Sequence, residues 1–331
     1  PACVWGLVRV SGPRIRPVPI SDSPNHFCRF RAHQAIRVPR PPFAWDFCSP
    51  DFGLLRASPR CDADRLQRVD VAEAMNLPKV VLHDHLDGGL RPATVLELAA
   101  QRGRPVPAQT PEDLATWFFE SADSGSLARY LDTFTETVGL MQDADSLRRI
   151  AREFVVDMAT DGVIYAEARW APQQHLTGGL SAAAATEAVQ AGLVDGMESA
   201  SRSGATIIAR QILCLMRHLD VPEDVVDLAV NHAPGVVGVD IAGPEDGFPL
   251  TPFTNALTRI QAAGIHLTVH AGEAAGPESV LDALNHGAER LGHGVRIIED
   301  RDESEWGPIA QRVLSNQVPL EVCPTSNTQT G

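Results

Sequence analysis

From residue 79 onward, short apolar runs alternate with stretches whose apolar residues recur at helical spacing, the pattern of repeated strand-helix units around a parallel sheet. Seven runs read as strands: Lys79–His85 (KVVLHDH), Val163–Trp170 (VIYAEARW), Thr206–Met216, Val236–Ile241, Ile265–His270, Arg290–His293 and Val318–Cys323. Between them, Leu127, Leu131, Phe134, Val138 and Met141 predict one helix, and Leu147, Ile150, Phe154 and Met158 predict another. Pro222 followed by Glu223 and Asp224 marks a further helix start, because proline has no N–H to leave unpaired and acids face the positive end of the helix dipole. Seven such strands suit an α/β fold of the TIM (β/α)8 type, lacking the eighth strand. An open doubly wound sheet fits less well, since the glycine fingerprints that cradle phosphates are absent from the sequence.

Residues 1–70 break this pattern. They hold eleven arginines, six acids and no lysine, are rich in proline, and sustain neither a helical nor an alternating period. The expectation is an irregular, poorly structured extension over 1–70 and a barrel domain over 71–331. A single lysine, Lys79, stands against 27 arginines, a bias expected of translated GC-rich DNA. With Pro1 as the first residue, it suggests that much of 1–70 is spurious upstream translation or an accessory tail.

Composition narrows the partners. The chain has 331 residues, 44% of them hydrophobic, enough for a substantial core, and its net charge of −14 argues against a nucleic-acid polymer as ligand. No run of roughly 18 or more apolar residues exists, and the first residues lack the pattern of a secretory signal, so the expectation is a soluble, cytoplasmic protein. The six cysteines form no C-x-x-C pair and read as free thiols.

Chemistry gathers at the strand ends. His83 and His85 are two apart, point to the same side of the first strand, and stand at its C-terminal end, where barrel enzymes build their sites. His270 ends the fifth strand in VHAGE and His293 the sixth in LGHG, so four imidazoles converge on one rim if the barrel closes. Such a set suits Zn²⁺ or a similar divalent ion. Glu273, on the loop after His270, is placed for general acid-base work. The remaining histidines read as structural or surface residues, with His266 as a core histidine deeper on the fifth strand.

The segments PKVVLHDHLDGGLRP (78–92), GVDIAGPE (238–245), TVHAGEAAGPESV (268–280), ERLGHG (289–294) and LEVCPTSNTQTG (320–331) resemble the adenosine deaminase family of the amidohydrolase superfamily. The resemblance implies one catalytic Zn²⁺ per chain and hydrolytic deamination of adenosine and 2′-deoxyadenosine to the inosine analogues plus ammonia. By position, His83, His85 and His270 would be zinc ligands, Glu273 would protonate purine N1, and His293 would orient and deprotonate the attacking water. Asp87 would bind the ribose 5′-hydroxyl, beside His85, and the N–H of Gly243 would bind N3. Trp117, Phe118 and Phe119 resemble the family's apolar gate over the purine. Binuclear members of the superfamily bridge their metals with a lysine at the fourth strand, but Lys79 precedes H-x-H, so a mononuclear site is expected. The H-x-E and P-C-x-x-C patterns of the cytidine-deaminase type do not occur, nor does H-E-x-x-H.

Two alternatives stay open: an adenine or modified-adenosine deaminase, and an inactive nucleoside-binding barrel. Asp87 favours a free 5′-hydroxyl over a phosphate, which it would repel, or a free base, which it would not touch. In the family, an eighth strand ends in a paired Asp-Asp that supplies a zinc ligand, and no residue here follows Gly331. The expectation is therefore a C-terminally truncated chain that folds poorly and binds zinc weakly, unless an acid such as Asp240 or Glu167 completes the site.

Overall fold

The computed structural model describes residues 77–331 apart from 303 and 304, so the expected extension over 1–70 lies outside the described residues. Seven strands, β1 (Lys79–His85), β2 (Val163–Trp170), β3 (Ile208–Met216), β4 (Val236–Ala242), β5 (Leu267–Ala271), β6 (Arg290–His293) and β7 (Leu320–Glu321), pair in chain order and all in parallel. The sheet curls into a nearly closed barrel. His83 on β1 and Glu321 on β7, the end strands of the described sheet, touch across the interior, with Nδ1 2.9 Å from Oε2. The strands carry near-continuous apolar runs because both faces are covered: every residue of β5 is buried.

Helices pack around the sheet, and their ends follow local chemistry. Helix α1 (Pro92–Arg102) stops at Gly103, which takes the left-handed conformation with φ 60°. Helix α2 (Pro111–Ala122) opens with Pro111 after Thr110, whose hydroxyl accepts the Asp113 N–H. The single helix predicted over Leu127–Met141 is instead two short ones, α3 (Leu127–Asp132) and α4 (Phe134–Val138). The hydroxyls of Thr133 and Thr137 donate to carbonyls three residues back, Tyr130 and Phe134, offering the backbone an alternative to the regular ladder. No residue of α3 is buried, for its apolar side chains face a cavity rather than the core.

Helix α5 (Ala144–Thr160) matches its predicted stripe: Leu147, Ile150, Phe154 and Met158 are all buried. It lies close against α6 (Ala182–Arg202), where a Cβ at Gly192 would stand 2.2 Å from the Arg148 carbonyl oxygen. Glycine is what permits that approach. Helix α7 spans Val225–Asn231, so Pro222 and Glu223 lie in the preceding turn, and Asp224 is the N-cap. The predicted start at Pro222 is three residues early; Glu223 instead offers its carbonyl to Arg259. Helices α8 (Thr254–Ala262), α9 (Pro277–Asn285), α10 (Pro308–Ser315) and α11 (Pro324–Thr330) complete the described fold. Among the described residues no helix is long and apolar enough to cross a membrane.

One core assignment fails. His266 precedes β5 rather than lying within it, is exposed, and pairs with Glu289 at 2.8 Å. The strand begins later than its apolar run suggests, which leaves His266 at the exit of the turn after α8.

Candidate active site

The C-terminal ends of the strands line a cavity of about 600 Å³, within the roughly 300–1,000 Å³ of small-molecule sites. His83, His85, Asp87, Gly243, His270, Glu273 and His293, the seven residues singled out in the sequence, all line it. The imidazole centroids of His83, His85, His270 and His293 lie 4.6 to 5.3 Å apart in the pairs that touch. Among the described residues, His83, His270 and His293 form the cluster of metal-capable side chains, with donor atoms within 4.8 Å of one another. His85 adjoins it, with Nε2 3.1 Å from Nε2 of His270.

What orients these rings lies behind them. Nδ1 of His83 donates to Glu321, and Nδ1 of His270 donates to Asp240, 3.0 Å from Oδ2. Both carboxylates bind one guanidinium: Arg169, wholly buried, donates to Asp240 at 2.9 Å, to Glu321 at 2.6 Å and to the Leu82 carbonyl at 2.7 Å. Arg290 adds a second contact to Glu321 at 3.0 Å and pairs with Glu167 at 2.7 Å. Burial would raise the Asp240 carboxyl, yet His270 and Arg169 hold it well below the usual range. Carboxylate-histidine pairs of this kind fix the Nδ1–H tautomer and leave Nε2 free as a ligand.

His293 differs. The Asn327 side-chain amide lies 3.0 Å from its Nδ1, and an amide nitrogen only donates, so the neutral ring carries its proton on Nε2. That nitrogen faces Glu273, 3.4 Å from Oε2. His293 also adopts φ 64°, in the left-handed region that non-glycine residues seldom occupy. Burial, with Arg169 and the neighbouring imidazoles, lowers the pKa of His83 well below the ordinary histidine value. Burial and His270 take His85 to about 3, and the same causes lower His293. Neutral imidazoles are what a divalent ion needs. Burial, helped by Glu245, pushes the Glu273 carboxyl up to about 7.

The expected aromatic gate is not where the sequence put it. Trp117, Phe118 and Phe119 lie on α2: Phe118 is buried in the core, Trp117 packs against it, and Phe119 is 43% exposed. None lines the cavity, whose apolar wall comes instead from Leu127, Leu131, Phe134 and Val138 on α3 and α4. Arg169, Glu321, Asn327 and Glu245 belong to the site's surroundings but were not predicted as site residues.

Three comparisons bear on this arrangement. The adenosine deaminase family profile matches residues 78–331. An adenosine deaminase of Mycolicibacterium gilvum is 48% identical over 262 residues, covering 77% of this chain and 72% of its own. Among solved structures, the N6-mAMP deaminase of Arabidopsis aligns at a TM-score of 0.65 and 30% identity, over 77% of this chain and 75% of its own. The adenine deaminase of Arthrobacter aurescens aligns at 0.64 and 26%, over 75% and 72%. A Burkholderia ambifaria amidohydrolase with bound Zn aligns at 0.59 and 31%, over 68% and 61%. With its motifs in order on a parallel barrel and most of its length matched, this chain belongs to the adenosine deaminase family of hydrolases.

Proposed function

We propose that the chain hydrolytically deaminates adenosine and 2′-deoxyadenosine, holding one zinc ion on His83, His85 and His270. The observation that carries this reading is the convergence of four imidazoles in one cavity, two of them anchored through Nδ1 on buried carboxylates. The donor set fits zinc, which takes imidazole nitrogen and leaves a position open when three protein ligands hold it. When bound, zinc supplies Lewis acidity that makes water nucleophilic near neutral pH.

The chain's own residues do the rest. With its proton on Nε2, His293 faces both the cavity and Glu273. That N–H can hold the oxygen of the attacking water in line with the purine, while the Glu273 carboxyl, 3.4 Å away and raised by burial to about 7, carries a proton of its own near neutral pH. The carboxyl protonates N1, and the carbon bearing the amino group becomes electrophilic as the ring loses aromatic character. The water oxygen bonds to that carbon as its bond to the amino group breaks; one of the water's protons restores the Glu273 carboxyl and the other leaves with the amino group as ammonia. A carboxyl with a pKa of about 7 is matched to that exchange. Leu127, Leu131, Phe134 and Val138 give the purine an apolar wall that excludes water.

Asp87 sets the substrate class. Its buried carboxylate lines the cavity, accepts the Ala171 N–H at 3.4 Å and has an oxygen that accepts no hydrogen bond, with Nδ1 of His85 4.0 Å away. A sugar hydroxyl can donate to that oxygen; a phosphate is repelled by it. The adenine and N6-mAMP deaminases among the structural relatives supply the rival substrates, a free base or a nucleotide. The test follows the change in purine absorbance with adenosine, 2′-deoxyadenosine, adenine and AMP, alongside metal analysis. Faster turnover of adenine or AMP overturns the nucleoside assignment, and a protein with neither bound zinc nor activity supports a binding barrel instead.

A further inference from the structure

Glu245 lies just beyond β4, after Gly243 and Pro244, with a side chain only 4% exposed. Its carboxylate collects four successive backbone N–H groups from the loop between β5 and α9. Oε1 accepts from Gly272 at 2.5 Å, and Oε2 accepts from Glu273, Ala274 and Ala275 at 3.0, 2.7 and 2.9 Å. Consecutive N–H groups aimed at one point form an anion-binding nest, here filled by the chain's own anion.

The loop is held from its carbonyl side as well. Arg296 donates its backbone N–H to the Gly272 carbonyl at 2.9 Å and its guanidinium to the Ala274 carbonyl. Gly272 has φ 71°, and a Cβ there would come 2.8 Å from Val280. Every backbone group fixed in this way belongs to or flanks the residue whose carboxyl reaches Nε2 of His293. These contacts lie upstream of α9, which begins at Pro277, so Glu245 caps the loop rather than the helix.

We propose that Glu245 is a positioning residue for Glu273: its carboxylate fixes the loop backbone from which Glu273 delivers its proton. This rests on the reading of Glu273 as the proton donor. Glutamine has the same shape but only one accepting oxygen, and its NH₂ would oppose N–H groups of the loop.

The test uses the zinc-loaded full chain. Glu245→Gln is expected to lower kcat for adenosine by about 10- to 100-fold with KM changed by less than about threefold, the signature of misplaced chemistry rather than lost binding. Amide exchange in a peptide spanning 271–279 is expected to speed up at least about tenfold while β4 peptides keep their protection. In a Glu273→Gln background the same substitution is expected to cost less than about twofold in kcat, because the group it positions is already gone. Unchanged exchange in 271–279, or full additivity of the two losses, overturns the proposal. If Glu273→Gln itself leaves kcat intact, the proton-donor reading fails and the catalytic part of the proposal falls with it, while the exchange data still decide the loop contact. Should Glu245→Gln fail to accumulate folded, Glu245→Asp keeps the charge but retracts it by one methylene; wild-type exchange and kcat in that variant count equally against the proposal.

Discussion

Substituting Glu273 by glutamine is predicted to make the metal-free protein more stable at alkaline pH, the reverse of what removal of a hydrogen-bonding acid usually does. Glu273 is 8% exposed, and burial pushes its carboxyl from the ordinary 4.5 up to about 7. A carboxyl raised on folding binds its proton more tightly in the native state than in the unfolded one. Below pH 4.5 both states are protonated and the group contributes no penalty. As pH rises from about 4.5 to 7, the unfolded chain gives up its proton first, so native stability falls through that window and stays low above it. At roughly 1.4 kcal/mol per pKa unit, the full penalty is about 3 kcal/mol, a large part of the 5–15 kcal/mol that holds a typical domain together. Glutamine has the same volume and no proton to lose. Urea unfolding of wild type and Glu273→Gln at pH 5 and pH 8.5, both stripped of metal, measures the effect. The expected result is a stability difference that moves by about 2.5 kcal/mol in favour of Gln between the two pH values, since a small part of the penalty is already present at pH 5. A difference that is flat with pH, or that moves toward the wild type, refutes the argument that burial controls this carboxyl.

Arg169→Met leaves Asp240 and Glu321 buried with only Arg290 and two imidazoles against them, and is expected to cost about 3–5 kcal/mol in denaturant unfolding. Because those carboxylates orient His270 and His83, the folded fraction of that variant should also bind zinc about 10- to 100-fold more weakly in chelator competition. Dialysis against a strong chelator should abolish deamination and zinc should restore it; retained activity in metal-free protein would remove the basis of the proposed site. Gly272→Ala must place a side chain at φ 71° against Val280, with an expected loss of about 1–3 kcal/mol in thermal or urea unfolding. His266→Ala breaks only an exposed pair and should shift stability by less than about 0.5 kcal/mol and leave kcat unchanged.

The barrel and its histidines are legible in the sequence because both rest on short-range rules. Seven apolar runs separated by helical stretches predict the strand order, and strand parity puts His83 and His85 on the same side of β1 at its C-terminal end. Boundaries are less legible. β3, β5 and β7 begin later than their apolar runs, since an apolar residue beside a strand is buried by a helix as readily as by the sheet. The gate fails for a related reason: Trp117, Phe118 and Phe119 are aromatic and adjacent, but only the path of α2 decides that Trp117 and Phe118 face the core and Phe119 the surface, none of them the cavity.

The ion network inside the barrel leaves a fainter mark in the sequence. Glu167 and Arg169 in VIYAEARW, Asp240 in VVGVDI and Glu321 in LEVC are isolated charges within apolar runs. A strand buried on both faces gives such a charge no route to water, and an unpaired buried charge is too costly to keep. Three acids and one arginine at strand positions therefore imply an interior salt network from the residue pattern alone. Which pairs form is not implied. Arg169 on β2 reaches Asp240 on β4 and Glu321 on β7, none of them hydrogen-bonded neighbours of its strand, so the pairing depends on how far the barrel closes and on the stagger of its strands. Motif order in the chain carries no record of that stagger. The same limit hides Glu245, whose four amide partners lie one strand away and 27 to 30 residues downstream. Residues that touch substrate can thus be read from local motifs, whereas residues that hold them in place become visible only when the strands are set side by side.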